Sequence, residues 1–360
     1  MNNINCIEIK GKRIGLGFPT YFIADIAANH DGDLSRAKDL IWLAKDSGAD
    51  AAKFQHFKAE TIVSDFGFKK LGKQKSHQAN WGSSVYEVYK AASIDLNWTQ
   101  ELKDTCDKAD ITFMTSPYAF DLVDEVDTYV SAYKIGSGDI TWLELIEYIA
   151  KKNKPYILAT GASSLEDVSR AVQICLEYNT QFALLQCNTN YTGSINNMKF
   201  IHLNVLKKYR EIYPNLVLGL SDHTPGHSTV LGAISLGARV IEKHFTDNCL
   251  RIGPDHAFSM DPNSWKTMVN SARELEAALG LEIKKIEENE EETVILQRRA
   301  IRVKIDVLKG QKITSDIVEM LRPCPKDAMP PYSANTLYGK FFKKNLKAGD
   351  YIKANDVDDK

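Results

Sequence analysis

The chain has 360 residues, 44% apolar and 26% charged, enough for a core of ordinary size in one large domain plus a small one. Its 45 basic and 47 acidic side chains give a formal net charge of -2, which argues against nucleic acid as a partner and leaves anion binding to locally placed Lys and Arg. The N-terminus MNNINCIEIK has no signal-peptide pattern, and the apolar stretches are too short to span a bilayer. Cys6, Cys106, Cys175, Cys187, Cys249 and Cys324 are scattered without a CxxC pair, so a reduced, cytoplasmic protein with no membrane partner is expected.

Through the first three quarters, strand-sized apolar runs alternate with segments of helical period. Strands are predicted at Phe22–Asn29, Ala51–Phe57, Thr112–Pro117, Ala132–Ser137, Pro155–Gly161, Phe182–Cys187, Leu216–Asp222 and Val240–Thr246. Helix candidates include Leu34–Ser47, Thr99–Ala109, Leu143–Lys152, Ser164–Tyr178, Phe200–Tyr213, Thr229–Leu236 and Ser264–Leu279. Eight strands, each followed by a helix, predict an α/β fold, a (β/α)8 TIM barrel over residues 1–280. A doubly wound sheet is the alternative, but it usually opens on a glycine-rich phosphate turn, and here the first strand runs into NHDGD.

The link from about Lys58 to Asn97 is long enough to be a lid, with a basic, aromatic stretch through His77 and Trp81 followed by a helix-like SVYEVYKAA. Residues 281–293 form a charged linker, and residues 294–360 a small second domain. That domain contains two similar stretches, LKGQKITSDIV from Leu308 and LKAGDYIKANDV from Leu346, which align with a one-residue gap.

Chemistry in such a barrel sits at the C-terminal ends of the strands, and polar residues gather there. Asp25 and Asn29 fall on the first strand, Lys53 and Gln55 on the second, Ser116 at the end of the third, and Lys134, Ser137 and Asp139 at the fourth. Thr189 and Tyr191 follow the sixth, Ser221 and His223 end the seventh, and Glu242 and His244 lie on the eighth, with Asp255 beyond. A two-residue period aims Asp25 with Asn29, Lys53 with Gln55, Ser221 with His223 and Glu242 with His244 at one lumen. Lys53 and Lys134 with the serines suit a phosphate and a carboxylate. His223 and His244 suit one divalent metal with open positions, and Asp25 and Asp139 are acid/base candidates.

FIADIAANHDGD, GADAAKFQ, AYKIGSGD, LGLSDHT, GARVIEKHFT and GPDHAFSM, in this order, resemble the N-acetylneuraminate (sialic acid) synthase family, which includes legionaminate and pseudaminate synthases. RRAIRVKIDVLKGQKITSDIVEMLRP resembles that family's antifreeze-like, or SAF (β-clip), domain. The resemblance implies a metal-dependent transferase that condenses phosphoenolpyruvate with an open-chain N-acetylmannosamine-type sugar. Lys53, Ser116, Lys134, Ser137 and Ser221 would hold phosphoenolpyruvate. His223 and His244 would bind Mn²⁺ or Mg²⁺. Gln55, Thr189, Tyr191 and Asp255 would meet the sugar. Arg322 would reach its acyl group from the partner in a domain-swapped homodimer. Asp25 and Asp139 stand where the family carries Glu, and Thr189 where it usually carries Asn. Two other functions fit the residues: a synthase using a phosphorylated aldose, and a non-catalytic sugar-binding protein.

Overall fold

In the computed structural model, which describes residues 6–71, 78 and 81–359, the chain opens with a hairpin that the sequence reading did not anticipate. β1 (Cys6–Ile9) pairs antiparallel with β2 (Lys12–Gly15). Lys10 and Gly11 turn between them with φ of 49° and 79°, the positive-φ pair that suits the twist of a tight hairpin. Ile7, Ile9 and Ile14 are buried against Tyr21, Ala51, Val217 and Val240, residues at or near the starts of barrel strands, so the hairpin plugs that end.

The apolar runs then form β3 (Tyr21–Asp25), α1 (Leu34–Asp46), β4 (Ala51–His56), and a link carrying α2 (Ala59–Ile62), α3 (Asp65–Leu71) and α4 (Val85–Ala92). Next come α5 (Thr99–Lys108), β5 (Thr112–Pro117), α6 (Phe120–Val126), β6 (Tyr133–Ile135), α7 (Leu143–Ala150), β7 (Tyr156–Ala159) and α8 (Leu165–Tyr178). β8 (Phe182–Cys187), α9 (Val205–Ile212), β9 (Val217–Asp222), α10 (Ser228–Ser235), β10 (Ala238–His244) and α11 (Pro262–Leu279) complete the unit. β3 to β10 pair in parallel in chain order, and β10 closes on β3, so this is a (β/α)8 TIM barrel. Alternate strand residues such as Phe22, Ala24, Phe54 and Phe113 face the helices in the larger apolar cluster, which leaves the other parity for the lumen. Helix starts are fixed locally: Asp33 accepts from the Ser35 and Arg36 amides, Ser164 and Asp167 form a capping box, and Asp261 caps α11 ahead of Pro262.

Three expectations need correction. The first strand ends at Asp25, not Asn29, because Ala27 turns to φ 46°. Asn29 therefore leaves the lumen face, and its buried amide donates to Phe245 O at 2.9 Å and Ser259 Oγ at 2.8 Å as a staple between loops. The fourth strand is shorter than expected, and Ser137–Asp139 forms a 3-10 turn. Trp42, which like Trp98, Trp142 and Trp265 reads from sequence as packing, is 43% exposed, whereas Trp265 is fully buried. His77, in the long link, lies outside the described residues. Among the described residues no helix is long and apolar enough to cross a membrane, and the six cysteines are free thiols.

Chain contacts divide the protein into two compact units, 1–280 and 281–360. The second contains α12 (Glu291–Gln297), the antiparallel pair β11 (Ala300–Val303) and β12 (Val318–Leu321), and the short pair β13 (Phe341–Phe342) and β14 (Val357–Asp358). Its core gathers Ile301, Val303, Val307, Ile313, Phe342, Leu346 and Ile352. The internal repeat is gapless in three dimensions. Val307 bridges Leu346, the Lys309 amide donates to Asn345 Oδ1 at 2.8 Å, and the Ala348 amide donates to Asp306 Oδ1 at 2.9 Å. Likewise the Leu308 amide donates to Gln311 Oε1 and the Lys347 amide to Asp350 Oδ2. These reciprocal bonds align Asp306 with Asn345 and Gly310 with Gly349, one residue away from the register that compares Leu308 with Leu346.

Candidate active site

The C-terminal ends of the barrel strands open on a cavity of about 390 Å³. Asp25, Lys53, Gln55, Ser116, Lys134, Ser137, Asp139, Tyr191, Ser221, His223, His244 and Asp255 all line it. Thr189 does not. It lies in a separate outer hollow with Asn188, Asn190, Phe200 and His202. Arg322 belongs to the second unit, where its Nε donates to Gln297 O at 2.6 Å.

The floor is a buried lattice of charge. Lys53 Nζ lies 2.7 Å from Asp25 Oδ2 and 3.9 Å from Glu242 Oε2, and Lys134 Nζ lies 3.2 Å from Glu242 Oε1. Ser221 Oγ donates to Glu242 Oε1 at 3.0 Å, and Gln55 reaches Asp25 Oδ2 at 3.4 Å. Burial opposes the Lys53 charge, but Asp25 and Glu242 outweigh it and hold the ammonium above its ordinary range. Burial also acts against Glu242, yet Lys134 and Lys53 prevail and pull its carboxyl down. For Asp25 burial prevails over Lys53, and its carboxyl is raised. The lattice is incomplete: Asp25 Oδ1, Glu242 Oε2 and Ser116 Oγ are buried without a hydrogen-bond partner among the described residues. Buried polar atoms left in this state are costly unless something else meets them.

Above the floor sit two imidazoles. β9 and β10 pair with Ser221 opposite Glu242 and Asp222 opposite Lys243, which brings His223 beside His244 with ring centroids 5.4 Å apart. Burial, then the other charges of the site, keep both rings well below the usual imidazole range, hence neutral. His223 Nδ1 is hydrogen-bonded to Asn188 O at 2.9 Å, which leaves Nε2 its lone pair, and His244 Nδ1 is buried without a hydrogen-bond partner among the described residues. Tyr191 packs edge-on to His223 at 4.4 Å and Phe258 to His244 at 4.8 Å. Among the described residues no cluster of three or more His, Cys, Asp and Glu is arranged to hold a metal alone. The two neutral imidazoles, one with an orphaned nitrogen, still fit a divalent ion with open positions.

Two carboxyls stand at the walls. Burial pushes Asp139 up to about 6 against the pull of Lys134. Trp142 at the start of α7 makes no side-chain cap bond, and its amide donates to the Asp139 backbone oxygen at 2.8 Å. Burial raises Asp255 to about 7, although the Ala28 amide donates to it at 3.1 Å. His56, by contrast, is a satisfied core histidine held between Thr115 Oγ1 and Thr99 Oγ1. Lining residues that received no role from sequence include Glu242, Tyr89 and Tyr118. Parity was the available signal, since Glu242 precedes His244 by two and Tyr118 follows Ser116 by two.

Residues 40–284 match the model of the NeuB family. The chain belongs to the NeuB family. It is 34% identical over 341 residues to the N,N'-diacetyllegionaminic acid synthase of Legionella pneumophila, covering 93% of this chain and 94% of the relative. It is 32% identical over 343 residues to the pseudaminic acid synthase of Helicobacter pylori, covering 94% and 98%. Among solved structures it is similar to the N-acetylneuraminic acid (sialic acid) synthetase of Leptospira borgpetersenii, with a TM-score of 0.70 and 26% identity over 82% of this chain and 97% of that one. This NeuB-family protein is thus an enzyme of a transferase-type family whose named members make sialic-acid-like nonulosonic acids.

Proposed function

We propose that the barrel condenses phosphoenolpyruvate with the aldehyde of an open-chain N-acylated amino sugar, releasing phosphate and giving a nonulosonic acid. One observation carries this reading: a floor of two lysines with unmet buried polar atoms lies directly below two neutral imidazoles in the same cavity. Lys53 and Lys134 then exchange part of their contact with Asp25 and Glu242 for the substrate's phosphate and carboxylate, with Ser116, Ser137 and Ser221 donating alongside. Among the described lining residues Lys53 and Lys134 are the only Lys or Arg side chains, which favours an acceptor without a phosphate of its own.

His223 and His244 would hold Mn²⁺ or Mg²⁺, which when bound supplies Lewis-acid polarisation of the acceptor aldehyde. In the bond changes, the C2–C3 π pair of phosphoenolpyruvate joins C3 to the aldehyde carbon, whose oxygen takes up a proton and becomes a hydroxyl. Water adds to C2, one of its protons passing to Asp139. The C2–O bond to phosphate then breaks with its electron pair leaving on phosphate, while the new C2 hydroxyl gives up its proton to leave a ketone. Asp139, raised to about 6, is mainly ionised at neutral pH yet basic enough to take that proton. Lys53 and Lys134 stabilise the departing charge. Gln55, Tyr191 and Asp255 line the cavity and would meet the sugar hydroxyls.

The second unit supports an SAF assignment through its small antiparallel pairs. We assign Arg322 to the sugar's acyl group in the partner barrel of a swapped homodimer, because its terminal guanidinium nitrogens have no partner among the described residues. The test is phosphate release from phosphoenolpyruvate with N-acetylmannosamine, its 6-phosphate and 2,4-diacetamido sugars, with Mn²⁺ or with chelator. Release with an unphosphorylated sugar, abolished by chelator, is expected. Release with the 6-phosphate alone would replace the acceptor assignment, and no release with any aldose would refute the reaction.

A further inference from the structure

Tyr118, one of the residues without a role so far, lines the same cavity as Asp139. Tyr118 leaves β5 two residues beyond Ser116, and its amide is tied to His56 O at 3.0 Å. Its ring stands edge-on to Phe57 at 6.1 Å, and Phe57 packs in turn on Tyr89 of α4 at 5.5 Å, so the phenol has a defined orientation. The hydroxyl passes over Gly136, where an added Cβ would meet it at 3.1 Å. Gly136 leads directly into the Ser137–Asp139 turn, and Tyr118, Gly136, Ser137 and Asp139 line one wall. The Tyr118 hydroxyl has no hydrogen-bond partner among the described residues, although the side chain is largely enclosed. Burial, then the charge of Asp139, push its phenol far above the usual value, so it remains neutral.

We propose that Tyr118 is a catalytic residue that fixes the attacking water together with Asp139. This rests on the reaction proposed above. The water donates one O–H to the Asp139 carboxylate and the other to Tyr118 Oη, which leaves an oxygen lone pair for C2. As the C–O bond forms, the first proton passes to Asp139 and the second stays on the new hydroxyl, so Tyr118 orients without exchanging a proton. A lone carboxylate would leave the water free to rotate about one hydrogen bond, whereas two acceptors define its direction of attack.

The test compares Tyr118→Phe, Asp139→Asn, the double variant and Gly136→Ala in the full chain. Tyr118→Phe keeps the ring and its packing on Phe57, so wild-type melting is expected. The account expects a fall in kcat of about 10–100-fold, with the KM for phosphoenolpyruvate within about threefold of wild type. The double variant should be no slower than Asp139→Asn alone, because both groups act on one water. Gly136→Ala should slow the wild type by displacing the hydroxyl and have little further effect in the Tyr118→Phe background. Wild-type turnover in Tyr118→Phe alongside a slow Asp139→Asn would overturn the proposal. So would losses that multiply in the double variant. A wild-type protein that releases no phosphate with any aldose would instead refute the underlying reaction, independently of Tyr118.

Discussion

β9 and β10 each carry buried polar side chains on both faces, and the two faces differ in one respect. Outward, Lys243 pairs with Asp222 and donates to Thr224 O, while Thr224 and Thr229 complete the carboxylate; no atom of this network is left unmet. Inward, one residue away along each strand, Glu242 pairs with Lys134 and takes the Ser221 hydroxyl, yet Glu242 Oε2 and the nearby Asp25 Oδ1, Ser116 Oγ and His244 Nδ1 have no hydrogen-bond partner among the described residues. Composition alone would not separate these lattices. A closed ion network specifies geometry, whereas an open one has hydrogen-bonding capacity in reserve for a substrate. The outer network sits directly behind His223 and His244, so its closure fixes the two strands that carry them.

This contrast sets the sign of several substitutions. The largest effect should come from Lys243→Met. Burial opposes the Asp222 charge, but Lys243 and the threonine hydroxyls hold its carboxyl below the ordinary range. Removing one partner of a buried pair typically costs about 3–5 kcal/mol, so thermal melting should show a large loss of stability. Lys53→Met should destabilise far less, because the Asp25 carboxyl is already raised and can take a proton. If the two variants melt alike, the distinction between closed and open lattices fails.

Next in size, Lys53→Met and Lys134→Met should each weaken phosphoenolpyruvate binding by about 1.5–3 kcal/mol, the scale of a charge-assisted hydrogen bond. The comparison to make is of KM for the two substrates. A change confined to the sugar would mean that the two binding regions have been interchanged.

The pH dependence sharpens the role of the wall. Asp139 must be ionised to act as a base, and its value of about 6 places an acid limb there. Below it kcat/KM should fall by about tenfold per pH unit, as the fraction of free carboxylate falls. Asp139→Asn should lack this limb and turn over slowly at every pH. A limb of unchanged position in that variant would assign it to another group.

Arg322→Ala should give the smallest effect, a loss mainly in use of the sugar. Mixing Arg322→Ala subunits with His244→Ala subunits tests the swap, since one barrel of a mixed dimer would combine an intact imidazole pair with an intact arginine. Partial return of activity is expected. No return despite demonstrated subunit exchange would place the arginine in its own chain's site.

Much of the site was legible because strands alternate. Lys53 with Gln55, and Ser221 with His223, are spaced by two, and burial on both strand faces made their polar side chains conspicuous among Phe, Leu and Ala. The same rule misled at Asn29, because the strand stops at Asp25 and Ala27 turns to positive φ, which a pattern of apolar and polar residues does not register. Glu242 showed the right parity but no individual role, since its importance lies in joining Ser221 and Lys134 across strands. Tyr118 drew no reading from sequence, because its place in the cavity wall depends on the fold. The second unit's symmetry was visible but shifted by one residue, since LKG and LKAG look alike while the hydrogen bonds equate Gly310 with Gly349.

The most direct test of the proposed condensation follows the bridging oxygen of phosphoenolpyruvate. With ¹⁸O between C2 and phosphorus, an unphosphorylated acyl amino sugar and Mn²⁺, the account predicts that released phosphate carries the label and that a nine-carbon acid forms in equal amount. Label retained in the organic product would show P–O cleavage and contradict water attack at C2 beside Asp139.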